Sequence, residues 1–156
     1  AHWLANEYGK NVTVLEMLPH FMMGVCTANR GHLLHYLEKS GVRLYNCTKV
    51  KALAKDGVYV EQNQSQTVPD PYNTWQPLLP PNIPNPMEKA IKEEIVEKKI
   101  PADLIVLAMG GKADETFFFE AGEEHLAKEI YNIGDSSRAG RVLEAVRGAY
   151  HLAVRI

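Results

Sequence analysis

The chain has 156 residues, a formal net charge of −2 and 46% hydrophobic residues, a composition that suits a globular chain with enough apolar material for a core. With this charge and no basic stripe, we expect neither a nucleic-acid partner nor an anionic membrane partner. The longest apolar run, Leu104 to Met109, is too short to span a bilayer, and no secretory signal is visible, so a cytoplasmic location is the default expectation.

The first part of the chain alternates between predicted helices and strands. Apolar residues at helical spacing in Ala1–Tyr8 predict a helix, and the β-branched segment Asn11–Met17 predicts a strand. A second helix is predicted from about Thr27 to Ser40, and Val42–Tyr45 is predicted as the next parallel strand. This order matches the second half of a dinucleotide-binding βαβ unit.

Glu16 lies at the end of the first predicted strand. An acid there can accept hydrogen bonds from the hydroxyls of an adenosine ribose and would repel a 2′-phosphate, which favours NADH over NADPH. The alternative is a solvated acid at a strand end. No strand with a Gly-x-Gly-x-x-Gly turn precedes the unit, so we expect a truncated fold, a fragment cut from a longer polypeptide inside the first helix of a nucleotide-binding domain.

Residues 48–61 predict a β-hairpin. Apolar and polar side chains alternate on both sides of Asp56-Gly57, a dipeptide that favours a type I′ turn. We expect this antiparallel pair to cover the nucleotide sheet.

Histidines and cysteines give no strong sign of a metal or redox site. His32, His35 and Glu38 have a spacing that could hold a metal, but no cysteine or second carboxylate completes the set, so a solvated helix face is expected. Cys26 and Cys47 form no C-x-x-C pair and are expected to be reduced thiols.

Residues 62–100 form a proline-rich insertion. Seven of the nine prolines fall between Pro69 and Pro86, which excludes regular secondary structure there, and Trp75, Leu78, Leu79 and Ile83 predict a surface loop pinned by apolar anchors. A polyproline ligand for another protein is the alternative. A helix is predicted after the prolines, with Asn85 as N-cap, Pro86 and Glu88 in its first turn, and Met87, Ile91 and Ile95 on one face.

The segment after the insertion predicts the middle of a covered parallel sheet. Leu104–Met109 is an unbroken apolar strand candidate, and Gly110-Gly111 would let the backbone turn sharply against a ligand. Residues 114–127 predict a helix or irregular bridge that buries Phe117, Phe118 and Phe119.

The last quarter predicts a strand, a tight turn and a helix. Ile130–Ile133 is the strand, Gly134-Asp135 the turn, and the helix within residues 138–156 carries an apolar face at Val142, Val146, Ala149 and Ala153. Asp135 would then lie at the carboxyl end of a strand beside a helix N-terminus, which is where open α/β sheets bind ligands.

Three motifs in order resemble a known flavoprotein family. Val12-Thr13-Val14-Leu15-Glu16-Met17-Leu18-Pro19, the segment from Ile100 to Gly110, and Ile130-Tyr131-Asn132-Ile133-Gly134-Asp135 followed by Gly140 to Tyr150 resemble the C-terminal region of 2,4-dienoyl-CoA reductases and of NADH oxidases related to old yellow enzyme. These belong to the wider group of pyridine nucleotide-disulfide oxidoreductase-like flavoproteins.

The resemblance implies a truncated α/β, three-layer Rossmann-like fold with an antiparallel hairpin or meander. Residues 1–111 would be an NAD(P)-binding domain, and residues 112–156 a bridge plus the last strand and helix of an FAD-binding domain. In the parent protein NAD(P)H would reduce FAD, and electrons would pass to an FMN-bearing barrel, with a 4Fe-4S cluster as an optional further carrier, to reduce an enoyl-type substrate. FMN and the cluster would lie outside this chain.

The resemblance also assigns roles within the chain. No residue here would act as nucleophile, base or metal ligand, and the cofactor-binding residues would be these six: Glu16, Gly110, Gly134, Asp135, Arg141 and Val142. Alone, the fragment is expected to bind no cofactor and to be inactive. Its expected partners are the remainder of the parent polypeptide and a second copy docked through the exposed terminal strand and helix. A non-catalytic nucleotide-sensing or protein-interaction module is the alternative.

Overall fold

The computed structural model describes residues 1–75, 83, 85–87 and 89–156. The chain divides into two compact units, Ala1–Ile105 and Val106–Ile156. The assignment of residues 1–111 and 112–156 to separate cofactor domains stays a prediction. Pro77, Leu78, Leu79, Pro80, Pro81, Pro84 and Glu88 lie outside the described residues.

The first unit begins with the predicted alternation of helix and strand. Its elements are α1 (His2–Tyr8), β1 (Thr13–Leu15), α2 (Thr27–Lys39) and β2 (Arg43–Tyr45). β1 and β2 pair in parallel, with Val14 opposite Leu44. Leu34, Val42, Leu44 and Phe21 form the buried core between α2 and this sheet. The helices and parallel strands predicted for residues 1–45 are therefore confirmed, although β1 is shorter than expected.

An antiparallel sheet follows. β3 (Thr48–Ala54) and β4 (Gly57–Asn63) form the predicted hairpin. Its turn was predicted wrongly, because Ala54 pairs with Gly57 and the two turn residues are Lys55 and Asp56, neither of which has a positive φ. Gly57 is needed for another reason: a Cβ at this position would collide with the carbonyl oxygen of Ile100 on the next strand.

That next strand, β5 (Ile95–Pro101), begins at Ile95, the last residue of the predicted apolar helix face. It pairs antiparallel with β4, from Gly57 opposite Pro101 to Asn63 opposite Ile95. The described residues between Asn85 and Glu94 contain no helix either. Asn85 does accept a hydrogen bond from the backbone N–H of Met87, at 3.0 Å, but as part of a turn. The helix prediction was wrong: Ile95 pairs with Asn63 in the sheet, and the N–H groups of Lys92 and Glu94 donate to the side chains of Thr67 and Asn63 rather than to helical carbonyls.

The predicted strand Leu104–Met109 is not formed. The segment has no regular secondary structure, and Leu104, Val106, Leu107 and Met109 are exposed. The parallel sheet contains only β1 and β2 among the described residues, so no strand lies beside the segment to satisfy its backbone groups.

The predicted strand Ile130–Ile133 is not formed for the same reason. These residues are extended or irregular and lead into a single 3₁₀ turn, Gly134–Ser136. Tyr131 and Ile133 are exposed rather than buried in a sheet.

The second unit has two helices, α3 (Thr116–Glu123) and α4 (Val142–Ala153). α4 was predicted, and α3 lies in the segment predicted as a helix or irregular bridge, but the predicted burial of both was wrong. Phe117 and Phe119 are exposed, and α4 turns its less exposed side, with Ala145, Gly148 and Leu152, inwards. The predicted apolar face is on the outside, where Val142 is 81% exposed.

Candidate functional site

Glu16 follows β1 and is held on both sides by backbone hydrogen bonds. Its N–H donates to the carbonyl of Tyr45 at 2.9 Å, and its carbonyl accepts from the N–H of Thr48 at 2.9 Å. Its carboxylate Oε1 accepts a hydrogen bond from the N–H of Leu18, at 2.9 Å. The other oxygen, Oε2, has no hydrogen-bond partner among the residues that the structure describes, and the side chain is only half-buried. One carboxylate oxygen is therefore held by a backbone N–H, and the other keeps its capacity to accept a hydrogen bond.

Gly134 and Asp135 occupy a tight turn in the second unit. Gly134 has φ 69°, a conformation that favours glycine, and a Cβ there would lie 3.6 Å from that of Ala145 on α4. The carbonyl of Gly134 accepts from the N–H groups of Ser137 and Arg138, at 3.1 and 3.0 Å. The Asp135 carboxylate accepts from the N–H of Gly140 at 3.2 Å. This exposed carboxylate thus organises the connection that leads into α4.

Arg141 and Val142 mark the start of α4. Arg141 has an extended backbone and is the N-cap, and its N–H donates to the Glu144 carboxylate at 3.0 Å, which is half of a capping box. The N–H groups of the first turn lie at the positive end of the helix dipole. Because Val142 is exposed, this end of the helix is open to an electron-rich group.

Gly110 and Gly111 also belong to the second unit. Gly110 has φ 79°, and a Cβ on it would meet nothing within 4 Å, so the backbone is open to close approach. A Cβ on Gly111 would lie 3.8 Å from that of Ala139. The structure therefore brings the glycine pair, the Gly134-Asp135 turn and the start of α4 together, while Glu16 belongs to the first unit.

A small cleft of about 170 Å³ lies beside the Gly134-Asp135 turn. Its lining includes Asp114, Tyr131, Asn132 and Ser136. Asn132 donates from its amide to Glu115 at 3.0 Å and accepts from the Ser136 hydroxyl at 2.7 Å. Sequence analysis gave these side chains no role, although Asn132 lies inside the motif that carries the family resemblance. The cleft is smaller than the roughly 300–1,000 Å³ of usual ligand pockets, so it can take only a small part of a cofactor.

Local hydrogen bonds set the charges in the cleft. Hydrogen bonds from the hydroxyl and N–H of Thr116 hold the pKa of Asp114 below its ordinary value. The hydroxyl of Tyr131 donates to Glu129 at 2.6 Å, and this bond raises the pKa of Tyr131. At neutral pH the lining therefore combines a carboxylate with a protonated phenol.

Family comparison identifies the chain. Residues 1–148 match the family model of pyridine nucleotide-disulphide oxidoreductases. The chain belongs to this family. Its fold is accordingly the predicted Rossmann-like FAD/NAD(P) type, mixed α/β, with β3, β4 and β5 as an antiparallel sheet. A comparison with curated proteins finds no match.

Comparison with solved structures gives a similar fold. The chain is similar to a 2-naphthoyl-CoA reductase solved in complex with 2-naphthoyl-CoA, with a TM-score of 0.66 and 24% sequence identity. The match covers 99% of this chain and 18% of the reductase chain, so this chain spans less than a fifth of that enzyme's length. At this identity the likeness supports the fold. No helix in the described part of the chain is long and apolar enough to cross a membrane.

Proposed function

We propose that this chain supplies cofactor-binding surfaces to a larger flavin-dependent oxidoreductase in which NAD(P)H, with NADH favoured, reduces FAD. The observation that carries the proposal is Glu16. Within a chain of the pyridine nucleotide-disulphide oxidoreductase family, it stands at the carboxyl end of a parallel strand with one carboxylate oxygen fixed and the other available. This arrangement suits the two neighbouring hydroxyls of an adenosine ribose and disfavours a 2′-phosphate.

The second unit fits the flavin side of the proposal. The exposed Asp135 carboxylate can accept a hydrogen bond from a ribityl or pyrophosphate-side group while Oδ1 keeps its bond to Gly140. The backbone N–H groups near Arg141 and Val142 can face the ring edge and stabilise negative charge there. Gly110 and Gly134 allow close approach of the backbone. When bound, NADH would supply a hydride and FAD would accept it, and the residues named here would bind and tune these cofactors rather than react.

The remaining steps lie outside this chain. We propose that electrons pass from FAD to an FMN-bearing barrel, with a 4Fe-4S cluster as an optional carrier, and reduce an enoyl-type or related substrate. The similarity to a reductase solved with an aromatic acyl-CoA supports a thioester-linked unsaturated substrate.

Glu16 can be tested in the complete polypeptide that carries this chain. Glu16→Ala is expected to weaken NADH binding about tenfold, the effect of losing roughly 1.4 kcal/mol of binding, and to reduce discrimination against NADPH. The measurement is calorimetric titration with both nucleotides. Glu38→Gln, which removes a charge from the exposed face of α2, is the control and should leave both affinities unchanged. Unchanged discrimination in Glu16→Ala would reject the role of Glu16.

Asp135 provides an independent test. Asp135→Ala should lower the flavin content of the purified complete protein and the rate of flavin reduction by NADH, whereas Asp103→Ala, an exposed carboxylate in the first unit, should not. If flavin content and reduction rate are unchanged, the assignment of Asp135 is wrong. Nucleotide binding without any bound flavin would instead favour the alternative, a nucleotide-sensing or interaction module.

We also propose that the exposed faces of the second unit are contact surfaces. Val142 and Val146 on α4, with Tyr131 and Ile133, leave large side chains in water, which is costly at about 25 cal/mol per Å² of apolar surface. The proposed partners are the remainder of the polypeptide and a second copy of the protein. Light scattering of the complete protein should show an oligomer that Val146→Glu dissociates. A wild-type monomer would reject the second-copy contact.

A further inference from the structure

The proline-rich insertion, predicted as residues 62–100, is shorter in the structure: β4 ends at Asn63 and β5 begins at Ile95, so the insertion is taken here as residues 64–94. The side chain of Asn63 joins the first and last residues of the insertion by hydrogen bonds. The side-chain amide of Asn63 donates to the carbonyl of Lys92 at 2.8 Å, and its Oδ1 accepts from the N–H groups of Ser65 and Glu94 at 3.0 and 3.1 Å. From this junction the first arm, residues 65–75 and here called the strap, runs towards β2 and α2.

The strap lies along the free edge of β2. The N–H of Arg43 donates to Val12 on the β1 side, so the backbone groups of Val42 and Leu44 face the other way. Tyr72 supplies a hydrogen-bond partner to the carbonyl of Val42 and to the N–H of Leu44. Its hydroxyl donates to the carbonyl of Val42 at 2.6 Å and accepts from the N–H of Leu44 at 3.1 Å. A side chain of the strap thus takes the place of a neighbouring strand at this edge.

Asn46 joins the strap to the loop that follows Glu16, residues 17–25. It lies directly after β2 and is 4% exposed. Its side-chain NH₂ carries two hydrogens. One is donated to the carbonyl of Pro19 in the loop, at 2.7 Å, and the other to the carbonyl of Pro69 in the strap, at 2.8 Å.

Arg30, on α2, makes the same kind of bridge. It is 3% exposed, its Nε donates to the carbonyl of Phe21 in the loop at 2.9 Å, and its Nη1 donates to the carbonyl of Asn73 in the strap at 3.1 Å. Among the described residues no carboxylate forms an ion pair with this guanidinium, and burial lowers its pKa. The two carbonyls therefore stabilise a buried charge.

The strap completes the hydrogen bonding of the two side chains that hold the loop. If the strap left, Asn46 would keep an unpaired buried N–H and Arg30 would lose one of its two carbonyl partners, while the bonds to Pro19 and Phe21 and the bond from the N–H of Cys47 to the carbonyl of Leu18 would remain. The strap therefore fixes Asn46 and Arg30 in the orientation in which they hold the loop. The loop starts next to Glu16, and the N–H of Leu18 within it holds the Glu16 carboxylate.

We infer that the insertion is a positioning element for the nucleotide site, with Arg30 and Asn46 as positioning residues that fix the loop after Glu16 and, through it, the Glu16 carboxylate. This inference rests on the proposed function, in which Glu16 binds the adenosine ribose. It assigns the insertion a role in recognition of the adenosine end of NADH.

The test is hydrogen–deuterium exchange in the complete polypeptide, combined with NADH titration. In Asn46→Ala the amides of residues 17–25 should exchange about tenfold faster, as expected when the bond to the loop carbonyl of Pro19 and the bond to the strap carbonyl of Pro69 are lost together, and NADH should bind severalfold more weakly. Arg30→Lys is the second variant, to be used if Asn46→Ala fails to fold. It keeps the positive charge but not the planar guanidinium that reaches two carbonyls, and it should give the same two effects.

Asn63→Ala is the matched control. Asn63 is also a buried asparagine that holds the insertion, at 7% exposed, but it has no contact with the loop in the described hydrogen bonds. Asn63→Ala should raise exchange in residues 64–67 and 92–94 and leave exchange in residues 17–25 unchanged.

Unchanged exchange of residues 17–25 in Asn46→Ala and Arg30→Lys, or an equal increase in Asn63→Ala, would overturn the inference. Faster exchange with unchanged NADH affinity would show that the hydrogen bonds of Arg30 and Asn46 stabilise the loop without affecting the nucleotide site, and would reject the positioning role. If the wild-type protein binds no NADH, the proposed function itself fails, while the exchange data still decide whether Arg30 and Asn46 hold the loop in place.

Discussion

The hydroxyl of Tyr72 donates a 2.6 Å hydrogen bond to the backbone carbonyl of Val42, and so joins the insertion to the free edge of β2. Tyr72→Phe removes this bond and the one accepted from the N–H of Leu44. It should destabilise the protein by about 1–3 kcal/mol, because two edge groups lose their partner. Urea unfolding followed by circular dichroism measures the change. Tyr8→Phe, at an exposed tyrosine, should have no effect. Equal stabilities for both variants would contradict the edge contact.

Gly57 should tolerate no side chain. In Gly57→Ala the new Cβ meets the carbonyl oxygen of Ile100 and lies 3.0 Å from the Cα of Pro101. Since both are backbone atoms, β5 would have to shift, and we expect a loss of about 2 kcal/mol or more in the free energy of unfolding. Gly148→Ala is the comparison. Gly148 lies inside α4 with nothing near its Cβ position, so alanine there should stabilise by about 0.5–1 kcal/mol. Thermal unfolding should show a lower melting temperature for Gly57→Ala and a higher one for Gly148→Ala than for the wild type.

Leu34 and Leu33 are adjacent on α2 but differ in burial. Leu34 is fully buried against Val42 and Leu44, whereas Leu33 is 45% exposed. Leu34→Ala should cost about 2–5 kcal/mol, because it removes buried methyl groups and leaves a cavity. Leu33→Ala should stay within about 0.5 kcal/mol of the wild type. If chemical denaturation shows similar losses for the two, the inward face of α2 is assigned wrongly.

The two cysteines should differ in reactivity. Cys26 is exposed, while Cys47 is half-buried and its burial raises the pKa of the thiol. A raised pKa lowers the thiolate fraction at neutral pH, and only the thiolate attacks alkylating reagents. We expect Cys26 to react with iodoacetamide about tenfold faster than Cys47 at pH 7.5. Single-thiol variants, Cys26→Ser and Cys47→Ser, followed by mass spectrometry, give the two rates. The ratio should narrow as the pH rises towards the pKa of Cys47, and a faster Cys47 would contradict the assigned burial.

The elements that could be predicted from sequence are those whose signals are local. α1 ends at Gly9, which takes the left-handed conformation of a helix stop. α2 and the β3–β4 hairpin follow from apolar spacing within a few residues of each other in the chain. Glu16 was placed at a strand end for the same reason.

The errors occur where distant residues decide the structure. The segment from Asn85 to Ile95 carries helix-start signals, but Ile95–Pro101 becomes β5 because β4 offers a complete antiparallel edge. The apolar runs Leu104–Met109 and Ile130–Ile133 have strand composition, and neither has a partner strand among the described residues. The bridges made by Arg30 and Asn46 could not be foreseen, because each joins segments whose proximity appears only after folding.

The pairing of Asn63 with Ile95 makes the segment between them separable from the antiparallel sheet. Since the excursion leaves and rejoins the sheet at one register position, residues 64–94 could be replaced by a two-residue turn without changing any pairing of β3, β4 and β5. The antiparallel sheet is therefore independent of the segment in register, whereas the edge of β2 is not, because the carbonyl of Val42 would lose its partner Tyr72 in such a shortened chain.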